Sequence, residues 1–277
     1  GFSTKNDSVA FYNHLPLVQY IIIFFMMVAG TNFVLTYFAL KGKIQKVFQS
    51  EEFKYYLFGI IAVSSIVTVI IYHFQDPNLQ SSIVHPKVFG ELEYAIRQSL
   101  FMVTSVVTTT GFVTADYTTW NLFATGIFFA LFFTGGSAGS TSGGVKIVRH
   151  IIMLKNSFLE FKKALHPSAI IPVRYDGKSV NHQIVFNILS FFIIYMLIFM
   201  LASVVLTLFG MDFYSAMGAA ASSLGNIGPA IGSVNPVANF NHLTDAAKLF
   251  CSFLMLIGRL ELFTVLILFT PFFWRKN

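Results

Sequence analysis

The chain has 277 residues, of which 55% are hydrophobic and only 11% are charged, whereas soluble domains carry about 25% charged residues. Its mean hydropathy is +0.70, and 33 of its residues are phenylalanine. This composition excludes a disordered chain, a nucleic-acid-binding module and a soluble enzyme of ordinary build. The single cysteine, Cys251, excludes a disulfide framework and a cysteine-cluster metal site. We therefore predict an all-α integral membrane protein that crosses the bilayer several times.

Five apolar segments of 19 to 28 residues are each long enough to cross a hydrocarbon core as a helix. In chain order they are residues 17–38, 55–73, 121–148, 184–209 and 249–274. The alternative is a large soluble helical core, but buried soluble helices rarely exceed about 20 residues without a polar face.

Two further apolar stretches, 96–108 and 213–224, would form helices of only about 18–20 Å. Each lies between two predicted spans and runs into a glycine-containing motif, 108–112 in the first case and 225–229 in the second. Irregular backbone is tolerated at membrane depth only where it lines a wet cavity or is buried in protein. We predict two re-entrant P-loops, 96–112 and 213–229. Interfacial helices, the alternative, should carry a basic polar face, and only Arg97 is present.

The charged residues predict the orientation. Twelve of the 18 basic residues follow the first or third predicted span or lie in the C-terminal tail, and the positive-inside rule makes these segments cytoplasmic. The N-terminus is then outside, the C-terminus is inside, and both half-helices enter from the outer side. The net charge of +6 therefore reflects membrane topology, and we expect no nucleic-acid partner.

A unit of span, half-helix, glycine motif and span occurs over 55–149 and again over 184–275. A truncated copy starts the chain, where Gly1 matches Gly111 and Gly228 at separations of 110 and 117 residues. This internal repeat predicts three parts. Residues 1–54 end one repeat with an outgoing helix, and 55–182 and 183–277 are two complete repeats.

The two glycine motifs suit the coordination of a dehydrated cation, which needs a ring of backbone carbonyls. Glycine allows the positive φ that turns successive carbonyls towards one axis, and threonine adds a hydroxyl and a stiff β-branched side chain. Neither motif contains a carboxylate, which favours a monovalent ion over Ca²⁺ or Mg²⁺.

A run of small residues at 134–146 interrupts the third predicted span and disfavours a continuous helix. Close helix packing through small residues is one alternative. A nucleotide-binding P-loop is excluded because Val145, not lysine, follows Gly144. We favour a flexible intramembrane loop that occludes or opens the cavity below the filter, with Lys146 and Arg149 at its cytoplasmic exit.

Arg259 and Glu261 lie inside the last predicted span, where a charge costs about 2.5–3.5 kcal/mol. They could form a buried pair, or Arg259 could bind a neighbouring carbonyl, and either contact would hold helices together. Alternatively, Arg259 lies in the pore, and its charge is a barrier to cations. The histidines lack metal-ligand spacing, so we expect a protein that is not an enzyme.

These motifs resemble the Trk/Ktr/HKT superfamily of cation transporters, and within it most closely the TrkH membrane subunits of bacterial Trk potassium uptake. The matching residues are Gly30-Thr31-Asn32-Phe33, 108–112, 134–149, 224–232 and Gly258-Arg259-Leu260-Glu261. The resemblance implies four potassium-channel-like helix–P-loop–helix repeats around one pore, of which this chain holds the end of the second and all of the third and fourth. The rest of the wall is expected outside this chain, which alone should not conduct. Ala230 departs from the family's usual glycine.

The resemblance also assigns roles to residues. The backbone oxygens of the K⁺ selectivity filter would come from Gly1, Thr108, Thr109, Thr110, Gly111, Gly225, Asn226, Ile227 and Gly228. The gate would comprise Gly135, Gly136, Ser137, Gly139, Ser140, Thr141, Gly143, Gly144 and Lys146. Arg259 would be the pore arginine, and K⁺ would be the transported ion, with no organic cofactor.

The expected protein is a multi-pass subunit in the lipid bilayer of the bacterial inner membrane that passes K⁺ inward. A homodimer is implied, as is a TrkA-like cytosolic nucleotide-binding regulatory subunit on the basic segments 39–54 and 149–182. Two alternatives stay open: a secondary active transporter in which symport couples Na⁺ or H⁺ to K⁺ or another solute, and an assembly subunit without transport of its own. Preference for K⁺ over Na⁺ also stays open.

Overall fold

The structure is a computed structural model that describes residues 5, 7–79, 81, 83, 86–166, 171–260, 262–268 and 271–274. Within these residues the regular secondary structure is almost entirely helical. The helices are α1 (Pro16–Ala29), α2 (Phe33–Leu40), α3 (Ile44–Gln49), α4 (Glu51–His73), α5 (Glu91–Val107), α6 (Leu122–Leu131), α7 (Ile147–Leu165), α8 (His182–Leu208), α9 (Phe213–Gly225), α10 (Asp245–Arg259), α11 (Leu262–Leu268) and α12 (Pro271–Trp274). Two short antiparallel strands, β1 (Arg174–Tyr175) and β2 (Lys178–Ser179), lie between α7 and α8 and place Arg174 opposite Ser179.

Among the described residues, α4 and α8 are the helices that are individually long and apolar enough to cross a membrane. They correspond to the predicted spans 55–73 and 184–209. The pair α1 and α2 meets the same criterion only when taken together, and the two helices are bent by 112°. The predicted repeat boundaries at 54 and 182 fall within the first turns of α4 and α8.

The prediction of one continuous helix over 17–38 is wrong, because the chain turns sharply between α1 and α2. The Gly30 carbonyl accepts a hydrogen bond from Ser137 N–H at 2.9 Å, and Phe33 N–H donates to the Gly139 carbonyl at 3.2 Å. These bonds to a distant loop replace the helical bonds that would carry α1 into α2.

The prediction of one helix over 249–274 is also wrong, because α10, α11 and α12 occupy this segment. Helix α10 begins at Asp245, before the predicted residue 249, because the side chain of Thr244 caps it by accepting a hydrogen bond from Ala247 N–H. Leu260 ends α10 with φ −84° and ψ 14°. Pro271 at the start of α12 has no N–H to continue a preceding helix.

The segment predicted as span 121–148 contains only α6 and the first residues of α7. Helix α6 ends at Leu131, close to the run at 134–146 where the sequence predicts an interruption. We call the irregular segment 132–146 the small-residue loop. Helix α7 continues to Leu165, well past the predicted end of the span.

The two half-helices α5 and α9 are largely buried. Helix α9 lies between α8 and α10, and α5 lies between α4 and α1. Helix α5 has 17 residues and begins five residues before the predicted 96–108, so the predicted length is too short. Its first residues, Glu91 and Leu92, are exposed. Arg97 in the second turn can be buried, at 0% exposure, because it forms an ion pair with Glu93 at 2.7 Å and donates to Gln19 on α1 at 2.5 Å.

Candidate functional site

The two glycine motifs lie directly at the C-terminal ends of the buried half-helices. We call residues 108–112, after α5, the first loop and residues 225–229, at the end of α9, the second loop. Alternate residues in each loop have positive φ: Thr109 (53°) and Gly111 (75°), then Asn226 (57°) and Gly228 (109°). Positive φ is uncommon outside glycine. Because it occurs at both Thr109 and Asn226, the two loops share the same backbone turn.

The hydrogen bonds that hold the two loops recur at the same 117-residue spacing. Thr110 N–H donates to the Ser105 carbonyl at 2.9 Å, and Ile227 N–H donates to the Ser222 carbonyl at 3.0 Å. Ser222 Oγ also accepts from Gly228 N–H at 3.1 Å. The sequence repeat is therefore also a repeat of local geometry.

The main-chain carbonyls of residues 108–111 and 225–228 accept no hydrogen bond from the residues that the structure describes. The residues of both runs are buried or half-buried, and carbonyls away from water normally have a partner, so two such runs at equivalent positions are informative. The same described part of the chain holds no cluster of three His, Cys, Asp or Glu side chains that could bind a metal. The main-chain carbonyl oxygens of the two loops are therefore atoms that a cation could bind.

The threonine hydroxyls of the first loop are used to hold its shape. Thr108 Oγ1 donates to the Thr104 carbonyl at 2.8 Å and lies 2.7 Å from Thr110 Oγ1. Thr109 Oγ1 accepts from Gly143 N–H at 2.7 Å. The last bond connects the first loop to the small-residue loop.

The small-residue loop contains all of the predicted gate residues, and its own hydrogen bonds define its shape. Gly135 N–H donates to the Val145 carbonyl at 2.8 Å, and Gly136 N–H donates to Ser142 Oγ at 2.9 Å. Lys146 precedes α7, and its Nζ donates to the Ser142 carbonyl and, at 3.1 Å, to Ser142 Oγ.

Two glycines allow this loop and α10 to lie against the base of the second loop. A Cβ at Gly143 would stand 2.6 Å from the Gly225 carbonyl oxygen and 2.9 Å from Asn226 Cβ. A Cβ at Gly258 would stand 2.8 Å from Asn226 Nδ2, which donates to the Met255 carbonyl at 3.1 Å. The small-residue loop, the second loop and α10 thus form one packed unit.

A cavity of about 280 Å³ lies between the small-residue loop, α8 and the α10–α11 segment, and three basic side chains line it. They are Lys146, Arg149 and Arg259, and the Arg149 guanidinium lies 3.7 Å from the centre of the Phe191 ring. One guanidinium nitrogen of Arg259 donates to the Thr141 carbonyl at 2.6 Å.

Of the contacts considered for Arg259, the structure shows the bond to a carbonyl, which connects α10 to the small-residue loop. Arg259 is also exposed to the cavity. Glu261 and Gly1, the remaining residues of the predicted site, lie outside the described residues.

Two residues that contact this site were not predicted from the sequence. Glu52, only 4% exposed, accepts from Ala138 N–H at 2.5 Å and so connects α4 to the small-residue loop. Acidic residues are common in the first turn of a helix because they interact favourably with the helix dipole, so the position of Glu52 in the sequence does not indicate this contact. The hydroxyl of Tyr117 donates to the Ala230 carbonyl at 2.6 Å, and this contact has no local sequence signal.

Comparison with known proteins matches almost the whole chain to one family. The profile of the TrkH family, described as a cation transport protein, matches residues 1–276. The Trk system potassium uptake protein TrkH of Escherichia coli K12 is 31% identical over 277 residues, which is 100% of this chain and 54% of that protein. TrkH of Halomonas elongata is 33% identical over the same shares.

The fold matches as well. The crystal structure of the potassium transporter TrkH from Vibrio parahaemolyticus superposes with a TM-score of 0.86 at 31% identity, over 99% of this chain and 56% of that chain. The chain spans about half the length of the curated relatives that it matches.

Proposed function

This chain belongs to the TrkH family of cation transport proteins, and we propose that it forms about half of the wall of a potassium-selective pore. It is a membrane protein of a family of transporters rather than enzymes. The observation that carries the proposal is the pair of equivalent loops, each at the end of a buried half-helix and each with four main-chain carbonyls that no described residue binds.

The backbone of these loops suits the binding of a dehydrated monovalent cation. In an ordinary strand, successive residues point to opposite sides. A positive φ at every second residue removes this alternation, so successive carbonyls can face one axis. Carbonyl rings of this kind replace the hydration shell of K⁺, and the negative C-terminal ends of α5 and α9 favour a cation there. The proposed filter carbonyls are those of 108–111 and 225–228, with Gly1 as a third contributor.

We assign the gate to the small-residue loop. It lies between the filter loops and the basic cavity, and besides its hydrogen bonds to residues 29–33 three polar contacts connect it to the first loop, to α4 and to α10. These contacts run from Gly143 to Thr109, from Ala138 to Glu52 and from Thr141 to Arg259. Opening would break the contact to Arg259, whose charge also repels a cation that leaves the filter.

The membrane location, oligomeric state and partner that we propose are those expected for a member of this family. We propose a multi-pass protein of the bacterial inner membrane that passes K⁺ inward, forms a homodimer and binds a TrkA-like regulatory subunit. The basic segments 39–54 and 149–182 are the surface for that subunit. Neither loop contains a titratable side chain, which favours conduction over proton-coupled symport.

The test is rubidium uptake by a bacterium that lacks its own potassium uptake, expressing the complete gene product. Gly111→Ser places a side chain at φ 75°, and Gly126→Ser is the matched control, because a Cβ there meets nothing within 4 Å. We expect uptake in all three proteins at equal membrane levels, with potassium preference over sodium lost only in Gly111→Ser. Equal preference in all three would overturn the filter assignment. No uptake from the wild type would indicate an assembly subunit.

A further inference from the structure

The segments that follow the two loops are joined directly by one side chain. The hydroxyl of Tyr117, six residues after Gly111, donates a 2.6 Å hydrogen bond to the carbonyl of Ala230, two residues after Gly228. The two residues are 113 positions apart and belong to different repeats. The bond therefore connects one pore unit to the next just beyond their filter loops.

The phenol of Tyr117 is held rigidly. It is 0% exposed and stacks on Phe128 of α6 with the ring centres 4.2 Å apart and the planes at 9°. Trp120 packs its edge against the same phenylalanine at 5.8 Å. Burial raises the pKa of the Tyr117 hydroxyl well above its ordinary value, so the hydroxyl stays a donor at physiological pH.

The acceptor is equally fixed. Ala230 is fully buried, and its N–H donates to the Val234 carbonyl at 3.1 Å, which closes the loop over residues 230–234. Pro229, with its restricted φ, separates Ala230 from Gly228. A displacement of the Ala230 carbonyl is therefore transmitted to the second loop over a short and stiff connection.

The two residues that directly follow the first loop are also hydrogen-bonded to residues 8–13. Ala10 N–H donates to the Val113 carbonyl at 3.0 Å, Val113 N–H donates to Ser8 Oγ at 3.2 Å, and Asn13 Nδ2 donates to the Thr114 carbonyl at 3.1 Å. Residues 8–13 belong to the preceding repeat. Consecutive repeats are thus hydrogen-bonded in series through the segments that follow their glycine motifs.

We propose that Tyr117 is a positioning residue that fixes the separation of the two filter loops and so determines which monovalent cation fits between them. This inference rests on the proposed function. Discrimination between K⁺ and Na⁺ depends on how carbonyl oxygens are spaced or on how freely they close around the smaller ion. A hydrogen bond between the segments that directly follow the two loops restricts both the spacing and the motion of the carbonyl oxygens, because it limits how the loops approach each other and move.

The test is Tyr117→Phe, which keeps the ring stacked on Phe128 and removes only the hydroxyl. Tyr214→Phe is the matched control, because Tyr214 is 45% exposed and no hydrogen bond of its hydroxyl is found among the described residues. Each complete protein is reconstituted in liposomes, and inhibition of rubidium uptake by Na⁺ is measured against inhibition by K⁺. We expect the half-inhibitory Na⁺ concentration to fall about tenfold in Tyr117→Phe, which corresponds to about 1.4 kcal/mol, and to stay unchanged in the control.

The outcomes separate this inference from the function on which it rests. A Tyr117→Phe protein that takes up rubidium with wild-type sodium inhibition would overturn the inference and leave the proposed function intact. A wild-type protein without uptake would overturn both. If Tyr117→Phe does not reach the membrane, Phe128→Leu removes the ring on which the phenol of Tyr117 is stacked, and wild-type sodium inhibition in that variant would overturn the inference.

Discussion

Gly143→Ala tests how tightly the small-residue loop packs against the second loop. The new Cβ would lie 2.6 Å from the Gly225 carbonyl oxygen and 2.9 Å from Asn226 Cβ, whereas ordinary contact begins at 3.4 Å. Neither obstacle is the end of a flexible side chain. Relief therefore requires the loop to move away by about 0.8 Å.

The expected destabilisation has two parts. Overpacking of a well-packed interior costs about 1–3 kcal/mol. The movement also weakens the bond from Gly143 N–H to Thr109 Oγ1, which is 2.7 Å long, and a bond of this kind contributes about 1 kcal/mol. We expect a total loss of about 2–4 kcal/mol. We also expect slower transport, because Thr109 lies in the first loop.

The assay is the thermal midpoint of the detergent-solubilised protein, together with rubidium uptake at matched membrane levels. Gly126→Ala on α6 is the control, because its Cβ meets nothing within 4 Å and alanine favours a helix by about 0.5–1 kcal/mol. We expect a lower midpoint only in Gly143→Ala. A Gly143→Ala protein with the midpoint and uptake of the wild type would refute the packing that we describe.

Three further results are expected. Arg97→Gln removes the buried partner of Glu93 and should lower the thermal midpoint through a loss of about 3 kcal/mol; an unchanged midpoint would contradict this. Arg259→Gln removes a charge and the 2.6 Å bond to Thr141, so rubidium uptake should rise several-fold, and slower uptake at equal expression would argue against a barrier. Burial lowers the pKa of His150, so the folded protein favours the neutral imidazole. The stability that this residue contributes is therefore present above pH about 6.5 and is lost as the pH falls below it. We expect His150→Asn to reduce the fall in thermal midpoint between pH 7 and pH 5.

The sequence predicted α4 and α8 well because each depends on local information. Both are long apolar runs without interruption, and length and hydropathy alone require such runs to be helices in a bilayer. The ends of α5 and α9 were also predictable, because a glycine motif follows each apolar stretch. The observed helix ends, Val107 and Gly225, are each within one residue of the predicted ends.

The parts that the sequence did not predict depend on contacts between distant residues. The sharp turn at Gly30 forms because Ser137 donates to its carbonyl, and nothing near Gly30 in the chain indicates that bond. The first residues of α5, 91–95, were missed because hydropathy counts Glu91 and Glu93 as polar. Hydropathy does not include the ion pair of Glu93 with Arg97, whose guanidinium also donates to Gln19, 78 residues away. The contact of Tyr117 with Ala230 was missed for the same reason.

The most direct test of the central claim is potassium flux through the purified complete protein in liposomes. Gly228 has a φ of 109°, which a serine side chain rarely adopts. The wild-type protein and its Gly228→Ser variant are compared with only a potassium gradient imposed. We predict flux down this gradient without added Na⁺ or a proton gradient, and a weaker preference for K⁺ over Na⁺ in the variant. Flux that requires a sodium or proton gradient, or the same preference in both proteins, would contradict a carbonyl-lined potassium pore.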